Sequence, residues 1–432
     1  SVDIQQQEPV EISELETTEN NDLSKSSESI TVDESIAEDI LATQADTAVV
    51  VGTVSDYLTA KGDAKLYNIN LPAGVYLQAQ LTTPANADLD YDLYLLDAEG
   101  NILTGSDYYT YINGTAGTLP EALGYITSGD TATYYLYVLA SEGGSVSESF
   151  TLDYSVSTAC DSYEIDESVR QALAFTYGAG GAYIESRNLS SPIDNDWYVI
   201  TVPSSRIYDK LKISATTAST NTCSVEVYQN VASEGYQMKR VGSGNTISVS
   251  SGKYYIRVSN AKTMENFDDL DIQNYKLSIT PILKATGIVI TDLKGSEGLN
   301  KVVNYPGYGA HFRTQGSGTL TVYGVLTATD SSTGVTYAVG GEKINGLYYS
   351  PAWEANNTSA NAIRRGTGTT DSSGKFEIDI SLPPGIGVYS YYGSTSTHYF
   401  DICGVSVSPS DDSSISASET IFHLAYTMYH PF

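Results

Sequence analysis

From about residue 47 onward, apolar and polar residues alternate with a period of two in short runs. Such alternation places every second side chain on one face of a strand, the pattern of a half-buried sheet. The runs 65–71, 91–96, 133–139 and 150–156 read this way. Turn-forming clusters such as Asp97-Ala98-Glu99-Gly100-Asn101 and Ser141-Glu142-Gly143-Gly144 separate them. A second series follows at 197–202, 211–215, 224–228, 253–258 and 275–279. The two series superimpose in order. Leu66-Tyr67-Asn68-Ile69 answers to Trp197-Tyr198-Val199-Ile200, and Tyr134-Tyr135-Leu136-Tyr137-Val138 to Tyr254-Tyr255-Ile256-Arg257-Val258. Asp33-Glu34-Ser35-Ile36 is matched in the same way to Asp166-Glu167-Ser168-Val169. A degenerate internal repeat is the expected cause. Beyond residue 284 the strands continue without the repeat, most clearly at 319–329, 335–339 and 375–380.

The first 46 residues break the pattern. They hold thirteen acidic residues and one lysine, with neither an aromatic residue nor a glycine. A solvated acidic arm is the plain reading. Two short alternations, Val2/Ile4 and Val10/Ile12, also suit a strand donated to a sheet edge of a neighbouring copy. Ile36, Ile40 and Leu41 space as one short helical face. The expected fold is therefore all-β: an acidic N-terminal arm (1–29), then three β-sandwich domains of jelly-roll and Ig-like type in series, at 30–157, 158–283 and 284–432.

Composition agrees. Tyr numbers 35 against 8 Phe and 2 Trp, with 37 Gly, as sheets with glycine-rich turns require. The chain of 432 residues carries 52 acidic and 22 basic side chains, a formal charge of −30. That charge repels nucleic acid and anionic lipid, so neither is an expected partner. No apolar run of about 18 residues suggests membrane insertion. Ser1 in place of a methionine and the absence of a sorting motif or apolar tail at the C-terminus point to a processed, unanchored protein of the bacterial exterior or cell surface.

The string Asp161-Ser162-Tyr163-Glu164-Ile165-Asp166-Glu167-Ser168, followed by Gln171-Ala172, Asp194-Asn195-Asp196-Trp197-Tyr198 and Val202-Pro203, resembles the bacterial pre-peptidase C-terminal domain family. That family includes collagen-binding modules of secreted collagenases, and the resemblance extends more weakly to 30–157. It implies a small jelly-roll sandwich, and in some members calcium or insoluble polymers as ligands. On this resemblance Glu164, Asp166, Glu167, Asp194 and Asp196 are the candidate calcium ligands. Five carboxylates brought together would repel one another without a cation between them. The alternative is solvated loop acids and a helix-start signal at Asp166 and Ser168. In the first repeat, Lys65 replaces the second Asp of the pair, so no site is expected there. The third domain resembles a bacterial immunoglobulin-like module through Thr370-Asp371-Ser372-Ser373-Gly374-Lys375-Phe376.

Cys160 and Cys223 are a candidate disulfide, with two buried thiols the alternative, and Cys403 reads as a core position. The tyrosines of 108–111 (Tyr108, Tyr109, Tyr111) and Tyr391 and Tyr392 serve either as sheet packing or as a binding surface. His311, His398, His423 and His430 show no HxH or HExxH spacing, and no GxSxG turn occurs. We therefore expect a non-catalytic structural or adhesive protein that assembles with copies of itself into a filament or surface array. The rivals are a monomeric module that binds polysaccharide or matrix protein through exposed Tyr, and a secreted hydrolase without a recognisable motif.

Overall fold

The structure is a computed structural model. It describes residues 28–29 and 49–429, apart from 87, 108, 113–114, 117–118, 159, 218–222, 233–236, 244, 262, 265–272, 297–298, 306–308, 314–317, 356–361, 386, 393–394 and 400. The candidate assembly residues Val2, Ile4, Val10 and Ile12, the 33–36 and 36–41 segments, Tyr108 and His430 lie outside the described residues. Nearly all the described elements are strands, as the alternation requires. No helix among the described residues is long and apolar enough to cross a membrane.

Eleven strands come first: β1 (Glu28–Ser29), β2 (Val49–Asp56), β3 (Ala64–Leu71), β4 (Tyr76–Thr82), β5 (Asp90–Leu96) and β6 (Ile102–Ser106). They continue with β7 (Tyr109–Ile112), β8 (Thr115–Ala116), β9 (Glu121–Ile126), β10 (Ala132–Glu142) and β11 (Phe150–Ser157). They build one sheet of order β1-β3-β10-β5-β6 and another of order β2-β11-β4-β9. The two face each other across a core of Tyr67, Ile69, Leu93, Leu95, Leu136 and Val138 from the first and Leu77, Leu81, Leu123 and Leu152 from the second. Phe150 receives Tyr67 and Tyr91 edge-on at 6.5 and 6.2 Å.

The next nine strands are β12 (Leu173–Ala174), β13 (Ala182–Leu189), β14 (Asn195–Val202), β15 (Tyr208–Thr217) and β16 (Cys223–Asn230). After them come β17 (Gln237–Ser243), β18 (Thr246–Ser248), β19 (Gly252–Asn260) and β20 (Gln273–Leu283). Their sheets run β12-β14-β19-β16-β17-β7-β8 and β13-β20-β15-β18. Set beside the first pair, β14-β19-β16-β17 repeats β3-β10-β5-β6, and β13-β20-β15-β18 repeats β2-β11-β4-β9. Even the short edge strands correspond, β1 lying parallel to β3 with Glu28 opposite Tyr67, and β12 parallel to β14 with Leu173 opposite Tyr198. The match of Asp33 to Asp166 does not fit this order. Asp166 precedes β12, whereas β1 already lies before Asp33.

The repeats share a junction. β7 leaves the first repeat and runs parallel to β17 of the second, with Tyr109 opposite Gln237. Leu119 packs with Val169, Trp197 and Tyr228, and Arg170 pairs with Asp107. Residues up to Ser204 with Lys210–Pro281 accordingly form one compact unit.

The other unit is Ser205–Asp209 with Ile282–Phe432. Its strands are β21 (Gly287–Gly295), β22 (Asn300–Tyr305), β23 (Gly309–Arg313), β24 (Gly318–Thr329), β25 (Thr336–Ala338) and β26 (Lys343–Tyr349). The series ends with β27 (Ile363–Thr369), β28 (Lys375–Leu382), β29 (Gly387–Tyr392), β30 (Thr395–Tyr399), β31 (Asp401–Pro409) and β32 (Ala417–Tyr429). β24 pairs with β21, β25 and β28, while β22-β23-β32-β31-β26-β27 make the facing sheet, which β29 and β30 extend. Leu320, Val322, Ile378 and Ile380 meet Ile344, Tyr348, Val405 and Ile421 between them. β28 alternates exposed and buried at every residue. It enters through a turn in which Asp371 accepts the amides of Ser373 and Lys375, and Gly374 takes the left-handed φ of +74°.

Candidate metal centre

The loop from Asp161 to Ser168 lies across the start of β14, and its sequence explains how it is held. Asp161 accepts the amides of Tyr163 and Asn188. The Trp197 amide donates to the Asp166 carbonyl, and the Asn195 amide to Glu167 Oε2, each at 3.0 Å. Asp194 Oδ2 closes the β13–β14 turn by accepting the Ser190 amide and hydroxyl. All five carboxylates singled out in the sequence come together and are buried, Asp194 and Asp196 with no exposure at all. Oxygens of Glu164, Asp166 and Asp196 lie within 4.8 Å of one another, as do those of Glu164, Glu167 and Asp194. Glu164 belongs to both groups. The acids are therefore not solvated, while the helix-start half of the alternative is met by a short 3-10 helix at Val169–Gln171 with Ser168 as its N-cap.

A single arginine answers this charge. Arg187, itself fully buried, reaches Asp161 at 2.6 Å, Asp166 at 2.5 Å and Asp196 at 2.9 Å, and donates through Nε to the Tyr198 hydroxyl. Its contact with Asp196 Oδ1 is an ion contact without hydrogen-bond geometry. Tyr275 donates to Asp196 Oδ2 and stands 2.6 Å from Tyr198. The first repeat supplies further donors from the outer face of β4. Tyr76 Oη lies 2.9 Å from Glu164 Oε2 and also contacts Glu167, and Gln78 Nε2 donates to Glu167 Oε1 at 2.6 Å.

Charge remains in excess. Burial raises the pKa of Glu164, Asp166, Glu167, Asp194 and Asp196, and like-charged neighbours add to the rise for all but Asp194. Asp194 Oδ1, Asp196 Oδ1 and the amide oxygen of Gln78 are buried without a hydrogen-bond donor, and so are Glu164 Oε1 and Asp166 Oδ1 when both groups are ionised, a proton on Glu164 otherwise bonding it to Asp166. Buried acceptors normally have partners, so five such oxygens in one place require an account. A hard divalent cation supplies one, because calcium takes six to eight oxygen ligands of this kind. Each group offers three carboxylate oxygens that could hold a metal ion.

The disulfide expectation is corrected. Cys160 and Cys223 are free thiols, Cys160 exposed and Cys223 half-buried at the start of β16. Partial enclosure of its sulfur and the charges of Glu164, Asp161 and Asp194 raise the pKa of Cys160 even though the residue is exposed, while burial and Asp196 push Cys223 up to about 12. Thiols held protonated are poor at disulfide exchange. Cys403 is in the core as expected, 3.1 Å from the Tyr348 hydroxyl, which also bonds His423 Nδ1 at 2.7 Å. Tyr109 and Tyr111 belong to β7, paired to β17, and Tyr391 and Tyr392 to β29, between β30 and β32. Their side chains are not among the described ones.

A second carboxylate group lies in the first repeat, where Asp92 of β5 accepts from Ser141 and Tyr94. Burial, opposed by the Ser141 bond, pushes its pKa up to about 7, with Asp90 and Asp107 adding to the rise.

Arg187, Asp161, Tyr76, Gln78, Tyr198 and Tyr275 were not apparent from the sequence. For Arg187 a signal existed, since it is the sole basic residue between Arg170 and Arg206.

No family model matches the chain, so the likeness to pre-peptidase C-terminal domains rests on the residues quoted above. A stretch of 74 residues, 17% of the chain, is 36% identical to the uncharacterized protein YlqB of Bacillus subtilis (strain 168). The chain spans about half of that relative, 46% of its length. Among solved structures, the g-type lysozyme inhibitor PliG of Aeromonas hydrophila aligns at 11% identity and a TM-score of 0.17, over 26% of this chain and 89% of its own. The CUB1-EGF-CUB2 region of human MASP-1/3 aligns at 10% identity and 0.16, over 54% of this chain and 99% of its own. The tandem CBM22 domains of Paenibacillus barcinonensis Xyn10C give 10% and 0.16, over 55% and 93%. Scores this low establish no common global fold.

Proposed function

We propose that this chain is a non-catalytic extracellular protein of structural or adhesive type, assembling with copies of itself at a bacterial surface, with its paired repeats set by calcium. The observation that carries the reading is the burial of the carboxylate cluster. A densely charged site at a repeat junction admits a small ion and leaves no room for a substrate beside Asp194 and Asp196. The Tyr348–His423–Cys403 group is equally enclosed, with exposures of 0, 0 and 1%. Calcium outside cells is plentiful enough to fill sites of modest affinity. Assembly is supported by the short edge strand: Glu28–Ser29 already extends a sheet beside β3, and Val2, Ile4, Val10 and Ile12 alternate upstream of it as a donated strand would.

The test is electron microscopy of the full chain in calcium and in chelator, beside a variant lacking residues 1–20. Filaments or sheets that need both calcium and the arm support the reading. A monodisperse particle near 46.3 kDa in every condition refutes self-assembly. That outcome favours a second reading, a monomer that holds polysaccharide or matrix protein. A groove of about 740 Å³ supports it, lined by Tyr163, Gly181, Tyr183, Glu185 and Lys276, with Lys276 Nζ 3.5 Å from the Tyr183 ring centre.

A further inference from the structure

We propose that the amide oxygen of Gln78 is a ligand contributed by the first repeat to a calcium ion held by the carboxylates of the second, so that one cation ties the repeats together. The inference rests on the calcium reading above. It concerns a residue that lies 86 positions before the acidic loop, at Gln78 against Glu164, on a different sandwich.

Side chains alternate along β4. Leu77, Ala79 and Leu81 enter the core of the first sandwich, which turns Tyr76, Gln78 and Gln80 to the opposite face. That face carries polar groups into the junction. Gln80 Oε1 accepts from Asn195 Nδ2 at 3.3 Å, and Tyr76 contacts Glu164 and Glu167. Gln78 is enclosed at 1% exposure, as Tyr76 is, while Gln80 is half-buried. Its orientation follows from chemistry. With Nε2 donating to Glu167 Oε1 and the amide also bonding Asp194, the NH2 group meets two carboxylates, and the reversed amide would set oxygen against oxygen. Oε1 then has no donor, although it is buried.

An amide carbonyl without a donor, beside carboxylates, is destabilising unless something positive faces it. The Asp194 carboxylate oxygen in the same cluster has the same need, as do those of Glu164 and Asp166 when both are ionised. Neutral amide and charged carboxylate oxygens together are the mixed set calcium sites use. The first repeat is also shaped for the contact. A Cβ on Gly124 of β9 would stand 2.6 Å from Glu167 Cγ and 2.7 Å from Tyr76 Oη, so only glycine leaves space for the carboxylate to reach β4.

The experiment uses the full chain, with calcium affinity measured by titration calorimetry and backbone protection by hydrogen exchange. Gln78→Leu removes the oxygen at similar volume, and Gln78→Glu keeps an oxygen there. We expect Gln78→Leu to weaken calcium binding on the order of tenfold to a hundredfold. Gln78→Glu should bind calcium at least as tightly as the parent and be less stable in chelator. Calcium should protect both 76–82 and 161–168 in the parent, and only 161–168 in Gln78→Leu. If the parent binds no calcium, the calcium reading fails and this inference with it. If the parent binds calcium and Gln78→Leu binds equally, with 76–82 protected as before, calcium belongs to the second repeat alone and the inference is overturned. Should Gln78→Leu fail to fold, Gln78→Glu decides. Weaker binding than the parent, or unchanged stability in chelator, refutes the role of the oxygen.

Discussion

Replacing Asp92 with Asn should make the first repeat less sensitive to a pH rise that weakens the parent. Asp92 is 7% exposed on β5, and burial outweighs its bonds from Ser141 and Tyr94 to set its pKa near 7 rather than 3.8. The folded form thus holds the proton to higher pH than the unfolded chain. The sign follows: stability from this group is fully present below about pH 4 and is lost as pH rises through 7. A shift of about three pH units corresponds to on the order of 4 kcal/mol as a ceiling, and local relaxation lowers it. Asn keeps an oxygen for Ser141 and carries no charge. The variant should match the parent at pH 4 and exceed it by about 2–4 kcal/mol at pH 8. Hydrogen exchange of β5 and β10 peptides, compared between proteins at one pH, cancels intrinsic rates and reads the difference. Asp90, with its pKa near 6 through burial and the charges of Glu142 and Asp107, adds the same trend to both proteins. An Asn variant that is weaker than the parent by the same amount at pH 4 and pH 8 would show that Asp92 is ionised and satisfied, and the reasoning would fall.

Arg187→Met should cost about 3–5 kcal/mol at pH 7, because three carboxylates lose their buried counter-charge. Urea unfolding followed by Trp197 fluorescence in a Trp353→Phe background checks this, and an unchanged midpoint counts against the pairing. Gly124→Ala should cost about 1–3 kcal/mol through overpacking against Glu167 and Tyr76, seen as faster exchange in both 76–82 and 161–168.

The sheets were legible because period two survives wherever one face is buried, as in β28. The repeat was legible for the same reason, through β3 with β14 and β10 with β19. The carboxylates were singled out by likeness to a family, but their counter-ion was not. Parity along β13 runs from buried Ile184 and would send Arg187 outward. A bulge between them, with Ser186 at the left-handed φ of 63°, turns it in. A bulge leaves no mark in a pattern of apolar positions. Tyr76, Gln78 and Gln80 escaped for another reason. Polar residues alternating with Leu77, Ala79 and Leu81 look like a wet outer face until a second sandwich covers them.

The β7–β8 hairpin has a consequence for how this chain can be cut. Encoded in the first repeat, it occupies the edge of the second repeat's sheet beside β17. A fragment beginning near residue 158 would bare that edge, with three backbone positions of β17 left to recruit any passing strand. The two repeats are therefore not interchangeable cassettes. Parting the pair would expose a sheet edge that the intact chain covers.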